Sequence, residues 1–455
     1  MSRSEIQQTC LKLQLNGKVP DTDFLSQFQQ IPAIIKHGNS FRCQRCHNQN
    51  PRCFPILNSD QQMVFCSECI MMGRLTNKDV LYFLPEKPNR SLAVNQASKL
   101  TWQGTLSQQQ AQASQEALKA LADPTCPHLI HAVTGAGKTE MLFPVIDQVL
   151  QKNGKVAIAS PRVDVCLELA PRIKAAFQKC QICLLYGSPE SSYIPNDIMI
   201  STTHQLLRFK EAFDLLVVDE VDAFPYLNNH SLHYAVARAV KSTGKLLFLT
   251  ATPDKVLEQA IKQKKITANV LPARFHGYSL VEPNFIWLGE WQLALKKRKK
   301  RSRLMSLLKY YMTLQGPKLI FMANIHYAKM LAEWLKEIAP LLKVEAVYAN
   351  DPLRKDKVLK LRKEELDVLV TTTILERGVT FTNCQVLILG AEDPLFDKSS
   401  LVQMSGRVGR KAMYPNGILL YGHCGITREM RKARNEIRQM NRMARQRGLL
   451  KESEI

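Results

Sequence analysis

From residue 101 onward the chain alternates short apolar runs with longer stretches in which apolar residues recur at helical spacing. In the first half the runs are HLIHAV, KVAIAS, DIMIST, LLVVDE and KLLFLTAT; in the second they are KLIFMAN, VEAVYA, LDVLVTTT, VLILGAE and GILLYG. Runs apolar on consecutive positions suit strands buried on both faces of a parallel sheet. Their alternation with helices predicts an α/β fold. Two sets of five runs predict two similar lobes, at 101–275 and 304–425, joined by a connection at 276–303. That connection contains the basic run KKRKKRSR, Lys296 to Arg303.

Other parts of the chain lack this pattern. Residues 1–40 are mixed and uninformative, 41–83 are cysteine-rich and predict a separate small module, and 84–100 read as a linker of Pro, Asn and Ser without apolar periodicity. The segment 426–455 is dense in lysine and arginine, at a spacing that permits a basic helix.

Composition narrows the class. At 455 residues two or three domains are expected. An apolar share of 45% with 22% charged residues belongs to a folded chain rather than a disordered one. Lysine and arginine number 62 against 40 acidic residues, a net +22 that favours a polyanionic partner, because neutralised phosphates release counterions. Nucleic acid leads, with anionic lipid headgroups as the competitor. No run is long and apolar enough to span a bilayer, and the N-terminus lacks the apolar core of a secretory signal, so a cytoplasmic protein is expected. Twelve cysteines then point to metal binding or burial rather than a disulfide framework.

HLIHAVTGAGKTEML has the strand–turn–helix context of a phosphate-binding loop. Thr134, Gly135, Ala136, Gly137, Lys138 and Thr139 form the turn and the expected helix start, with Ala132 where the motif's first glycine would stand. Backbone N–H groups can turn inward around an ATP triphosphate, Lys138 adds a point charge and Thr139 offers a hydroxyl to Mg²⁺. Pro144 falls early in the following helix, where a missing N–H costs least.

LLVVDEVD ends a strand on Asp219, Glu220 and Asp222. Clustered carboxylates at a strand end are costly unless metal, water or cations meet them. Asp219 suits Mg²⁺ coordination, Glu220 suits orienting or deprotonating the attacking water, and Asp222 completes the box. Thr250 and Thr252 of KLLFLTATP could relay nucleotide state. QMSGRVGR spaces Arg407 and Arg410 three apart, on one face if the segment is helical, beside Gln403. Guanidinium groups from a second lobe could reach the γ-phosphate.

Cys43 and Cys46, then Cys66 and Cys69, form two C-x₂-C knuckles with nineteen residues between them, within zinc-ribbon spacing. Two tight turns can complete a closed, structural Cys₄ shell around one Zn²⁺. Cys53 and His47 lie nearby but belong to no second pair and are left out.

In this order TGAGKT, DEVD, TAT and QMSGRVGR resemble a superfamily-two helicase of the DEAD/DEAH-like type, covering residues 101–425. The resemblance implies two RecA-like lobes and DNA-dependent ATP hydrolysis. It further implies an adenine-sensing glutamine, best placed at Gln110 in WQGTLSQQQ. It implies strand contacts through Arg162 in ASPRVDV and through Thr202 and Thr203 in ISTTHQLL. In TTTILERGVTF it implies contacts to nucleic acid and nucleotide through Thr372, Thr373, Glu376 and Gly378. With a Cys₄ module ahead of it, such a core is similar to the late competence ATPases of bacterial DNA uptake. That likeness implies a single-stranded DNA translocase working at the inner face of the cytoplasmic membrane with other competence proteins, peripheral to the bilayer, with homo-oligomerisation left open. Two alternatives stay open: a replication-restart DNA helicase, and an ATP-gated single-strand-binding assembly protein that moves nothing.

Overall fold

The computed structural model describes residues 28–58, 63–83, 97–187, 193–378 and 381–451. Of the expected N-terminal segment, residues 1–27 lie outside the described residues, as do 84–96 of the expected linker.

Among the described residues, the first lobe is built on a seven-stranded parallel sheet. From one edge to the other its strands are Thr267–Leu271, His128–Ala132, Val240–Thr250, Phe213–Asp219, Val156–Ser160, Ile198–Thr202 and Ile182–Leu185. The second lobe carries six parallel strands: Asn284–Trp287, Leu419–His423, Gln385–Leu389, Lys318–Phe321, Val368–Thr371 and Val344–Val347. Each of the ten runs holds a strand, and His128–Ala132, Val156–Ser160, Ile198–Thr202, Gln385–Leu389 and Leu419–His423 are buried throughout, as two-sided burial requires. The three additional strands are edges. Thr267–Leu271 and Asn284–Trp287 are half exposed and mixed in polarity, so they lack the continuous apolar signature. Asn284–Trp287 and the helix Trp291–Lys296 build onto the second lobe, although both fall within the expected connection 276–303.

Two local expectations change. The α-helix after the phosphate-binding loop begins at Phe143, behind a 3₁₀ turn at Glu140–Leu142, with Pro144 in its first turn. Arg407 and Arg410 are not on a helix: Lys398–Ser405 stops at Gly406, and Gly409 at φ +65° turns the chain in a way that suits glycine.

Residues 28–58 and 63–83 form a small module whose first and last strands, Gln29–Pro32 and Val80–Phe83, pair antiparallel. The module shares a buried core with the first lobe, in which Ile34, Phe54 and Leu75 join Met199, Leu206 and Val236. Polar contacts fix the same seam: His47 stacks on Tyr234 at 4.5 Å, and Arg238 donates to the carbonyls of Gln44 and Leu207, each at 2.7 Å.

The basic C-terminal helix, Arg428–Gln446, is amphipathic. Its buried stripe begins in the core of the second lobe with Met430 and Ala433 and ends in the core of the first with Met440. Asn441 accepts from Leu280 N–H at 2.8 Å and donates to its carbonyl at 2.9 Å, while Arg447 donates to the Val270 carbonyl at 2.7 Å. The helix therefore spans both lobes. No helix among the described residues is long and apolar enough to cross a membrane.

Candidate functional site

A cleft of about 620 Å³ opens between the lobes, within the range of roughly 300–1,000 Å³ usual for ligand sites. The first lobe lines it with Thr134 to Glu140, Asp219 and Glu220, and the second with Gly378, Gln403, Gly406, Arg407 and Arg410. Gly135 and Gly137 hold φ of +84° and +76°, which lets the loop fold inward. Gly406 packs so tightly on Thr134 that a side chain there would collide with it.

Lys138 Nζ stands 3.4 Å from Asp219 Oδ1, at the mouth of the strand Phe213–Asp219. Thr139 is buried beside them. Glu220 follows with φ +56°, strained for a residue with a side chain, and such strain is held mostly where function needs it. Burial pushes its carboxyl up, against the opposing pull of Arg377 3.6 Å away and reinforced by Asp219.

Gln109 and Gln110 take different tasks. Gln110 donates to the carbonyls of Ala136 and Gly137 at 3.1 and 3.0 Å and lines the cleft with Trp102 and Phe275. Gln109 turns away to Ala273.

Asp222 is the hub of the lobe interface. Thr250 and Thr252 of its own lobe donate to it at 2.8 and 2.6 Å; from the other lobe Arg377 donates at 3.2 and 2.6 Å and Ser399 at 2.7 Å. Burial alone would raise its pKa, but the Arg377 guanidinium and the surrounding hydroxyls hold the carboxyl well below the usual carboxylate range. Breaking such a buried pair from one side typically costs about 3–5 kcal/mol, since one charge is left uncompensated. In the sequence Arg377 sits between Glu376 and Gly378 with no signal beyond a cation inside a strand-end motif. Ser399 carries no signal at all.

Glu376 lies at the same interface. Its carboxylate accepts from Arg162 at 3.1 Å, and its carbonyl accepts from Arg407 Nε and Nη2 at 3.1 and 2.6 Å. Arg162 also donates to the Ile374 carbonyl at 3.3 Å, so its guanidinium is committed across the interface in this arrangement. Burial, then the neighbouring Arg410, push Arg407 down to about 9. The expected strand-contact residues Thr202, Thr203, Thr372 and Thr373 sit at the carboxyl ends of the parallel strands Ile198–Thr202 and Val368–Thr371, where open α/β sheets gather their ligands.

In the small module the sulfurs of Cys43, Cys46, Cys66 and Cys69 all lie within 4.8 Å of one another and are buried. A tetrahedral ion about 2.3 Å from each sulfur requires edges of about 3.8 Å. Cys43–Cys69 and Cys46–Cys66 measure 3.8 and 3.6 Å. Arg45, between the first two cysteines, directs Nε and Nη2 at Cys69 Sγ from 3.3 and 3.2 Å, a cation placed to favour thiolate. The donor set therefore fits one structural Zn²⁺. Cys53 is outside the cluster, and His47 is occupied by Tyr234. Purified protein is expected to carry about one zinc per chain and Cys66→Ser far less, read by metal analysis; zinc-free wild type that keeps its fold would refute the assignment.

A phosphate-binding loop facing two arginines across a pair of RecA-like lobes defines a superfamily-two helicase-type ATPase core. Residues 107–260 match the family model for DEAD/DEAH box helicases and residues 299–412 the helicase conserved C-terminal domain. Residues 22–83 match the competence protein ComFA N-terminal domain. The chain is 40% identical to competence protein ComFA of Bacillus subtilis over 413 residues, covering 90% of this chain and 88% of that protein. It is likewise 40% identical to ComFA of Streptococcus pneumoniae over 419 residues, covering 91% and 94%. The chain belongs to the ComFA family of competence proteins. Among solved structures, S. cerevisiae Dbp5 bound to RNA and ADP BeF3 superposes with TM-score 0.53 at 16% identity, covering 74% of this chain and 91% of that one. Mycobacterium smegmatis helicase Lhr bound to ssDNA and AMP-PNP superposes with TM-score 0.51 at 18% identity, covering 70% and 48%. At such identities these structures share the fold alone.

Proposed function

We propose that this protein is an ATP-driven single-stranded DNA translocase that draws transforming DNA into a competent cell. The observation that carries the reading is the split of the cleft: phosphate loop and acidic box on one lobe, Arg407 and Arg410 on the other. Nucleotide that binds both walls favours closed lobes, and its hydrolysis removes the bridge between them. Mg²⁺ would be held by Thr139 and Asp219 and would neutralise charge on the phosphates. Lys138 binds the β- and γ-phosphates, Glu220 holds the attacking water and accepts its proton, and Gln110 borders the adenine end with Trp102 and Phe275. The Asp222 hub, with Thr250, Thr252, Arg377 and Ser399, reports lobe closure. Strand contacts by Arg162, Thr202, Thr203, Thr372 and Thr373 then change as the lobes move. Competence proteins at the inner membrane face are the partners this reading calls for.

The test is ATP hydrolysis against a panel of nucleic acids. Single-stranded DNA is expected to stimulate the rate about tenfold or more, with duplex DNA and RNA well behind, and the stimulation to weaken steeply with salt. A rate indifferent to nucleic acid would sink the proposal. Hydrolysis-dependent displacement of a protein roadblock from single-stranded DNA separates a motor from an ATP-gated binding protein.

A further inference from the structure

Where the first lobe meets the connection, four consecutive residues, Ala273 to His276, touch the helix that carries Gln110, the phosphate loop and the arginine loop. Gln109 grips Ala273 on both sides, donating to its carbonyl at 2.6 Å and accepting from its N–H at 3.3 Å. Phe275 N–H donates to the Gly135 carbonyl of the phosphate loop at 3.0 Å. Across the interface Arg274 Nη1 and His276 Nε2 both donate to the carbonyl of Gly409, the histidine at 3.2 Å. Gly409 lies between Arg407 and Arg410, and its +65° φ marks where the chain turns from one arginine to the other.

The chemistry of the two donors is specific. Tyr278 N–H donates to His276 Nδ1 at 3.2 Å, so Nδ1 is the acceptor and the proton sits on Nε2, facing Gly409. Burial and the Arg274 charge push this imidazole down to about 4, which keeps it neutral near pH 7. Arg274 is 1% exposed, and its Nε and Nη2 find no hydrogen-bond partner among the described residues. A buried cation without a counter-charge destabilises a fold, and an apolar side chain of similar length would pack there at lower cost. Core packing therefore does not account for an arginine at this position; its bond to Gly409 does.

We propose that Arg274 and His276 are positioning residues that latch the Gly409 carbonyl to the end of the first lobe as the lobes meet, and so aim Arg407 and Arg410 at the nucleotide. The latch rests on the ATPase reading above. Neither residue lines the phosphate pocket, so both act through the arginine loop.

Arg274→Met separates positioning from plain structure. It removes the uncompensated charge, so the melting temperature without nucleotide is expected to hold or rise. Turnover is expected to fall about 10- to 100-fold in kcat with KM for ATP changed less than about twofold, because misplaced catalytic groups cost rate rather than ground-state binding. His276→Gln, which keeps an N–H donor, is expected to retain most activity, and His276→Ala to lose about as much as Arg274→Met. Wild-type turnover in Arg274→Met, or a melting temperature that falls in step with its activity, overturns the latch alone. A wild-type chain that hydrolyses no ATP brings down the ATPase reading and the latch with it.

Discussion

Arg407→Ala is expected to lower ATP turnover by about 10³–10⁵, the value of an arginine that neutralises charge developing on a transferring phosphoryl group. Arg407 lies in the turn after the helix Lys398–Ser405 and lines the cleft opposite Lys138 and Asp219. Its Nε and Nη2 are held by the Glu376 carbonyl, which fixes the plane of the guanidinium before any nucleotide arrives. Burial, then the charge of Arg410 beside it, pushes it down to about 9, a cost that an anionic ligand would relieve. Because the first lobe carries the phosphate loop, the variant should still bind ATP and lose kcat far more than KM. Steady-state hydrolysis with saturating single-stranded DNA, beside binding of a fluorescent nucleotide, reads both. A loss below tenfold, or a loss of affinity that accounts for the whole effect, would remove Arg407 from the chemistry.

The sequence revealed whatever a consecutive run of residues writes down. Both sheets were legible because a strand buried on two faces carries a run of consecutive apolar residues, as at 215–218 in Phe213–Asp219 and 386–389 in Gln385–Leu389. Edge strands such as Asn284–Trp287 escape that rule, since water covers part of them. The Cys₄ cluster was legible for a related reason: two short turns carry all four ligands, and their spacing does not depend on the rest of the fold. The cleft residues were reachable only as separate motifs. What joins them is tertiary, namely Arg377 on Asp222, Arg162 on Glu376, and Arg274 with His276 on Gly409. None of these pairs has a periodicity or a spacing, so each becomes visible when the lobes are set against each other. The spacing of Arg407 and Arg410, which share a face only if the segment is helical, shows the reverse limit. A spacing of three is helical only where the backbone is, and Gly406 with Gly409 ends the helix first.

The module and the C-terminal helix bear differently on lobe motion. Residues 28–58 and 63–83 share a core with the first lobe, so the Cys₄ module is tied to the segment Thr203–Arg208 against which it packs. The helix Arg428–Gln446 is rooted in both lobes, with Met430 in one core and Met440 in the other. Any opening of the cleft would therefore have to strip the helix from one lobe or carry it along.

Glu220→Gln is expected to lower kcat by about 10²–10⁴, the usual worth of a positioned general base, while leaving nucleotide and DNA binding in place. The neutral amide keeps the size of the side chain and loses its ability to take a proton. Burial has already raised the Glu220 carboxyl, with Arg377 opposing and Asp219 adding to the rise. The base works only when ionised, so wild-type kcat should be present at high pH and fall as pH drops through this raised pKa. The acid limb should accordingly lie above the ordinary carboxylate range, and Glu220→Gln should lack it. With ATP bound and chemistry blocked, the variant should hold single-stranded DNA in the closed-lobe state and release it only with the nucleotide. A pH profile identical in both proteins would show that another group accepts the proton. A variant that hydrolyses at the wild-type rate would place the attacking water elsewhere in the cleft and free Glu220 for the lobe interface, where Arg377 already meets it at 3.6 Å.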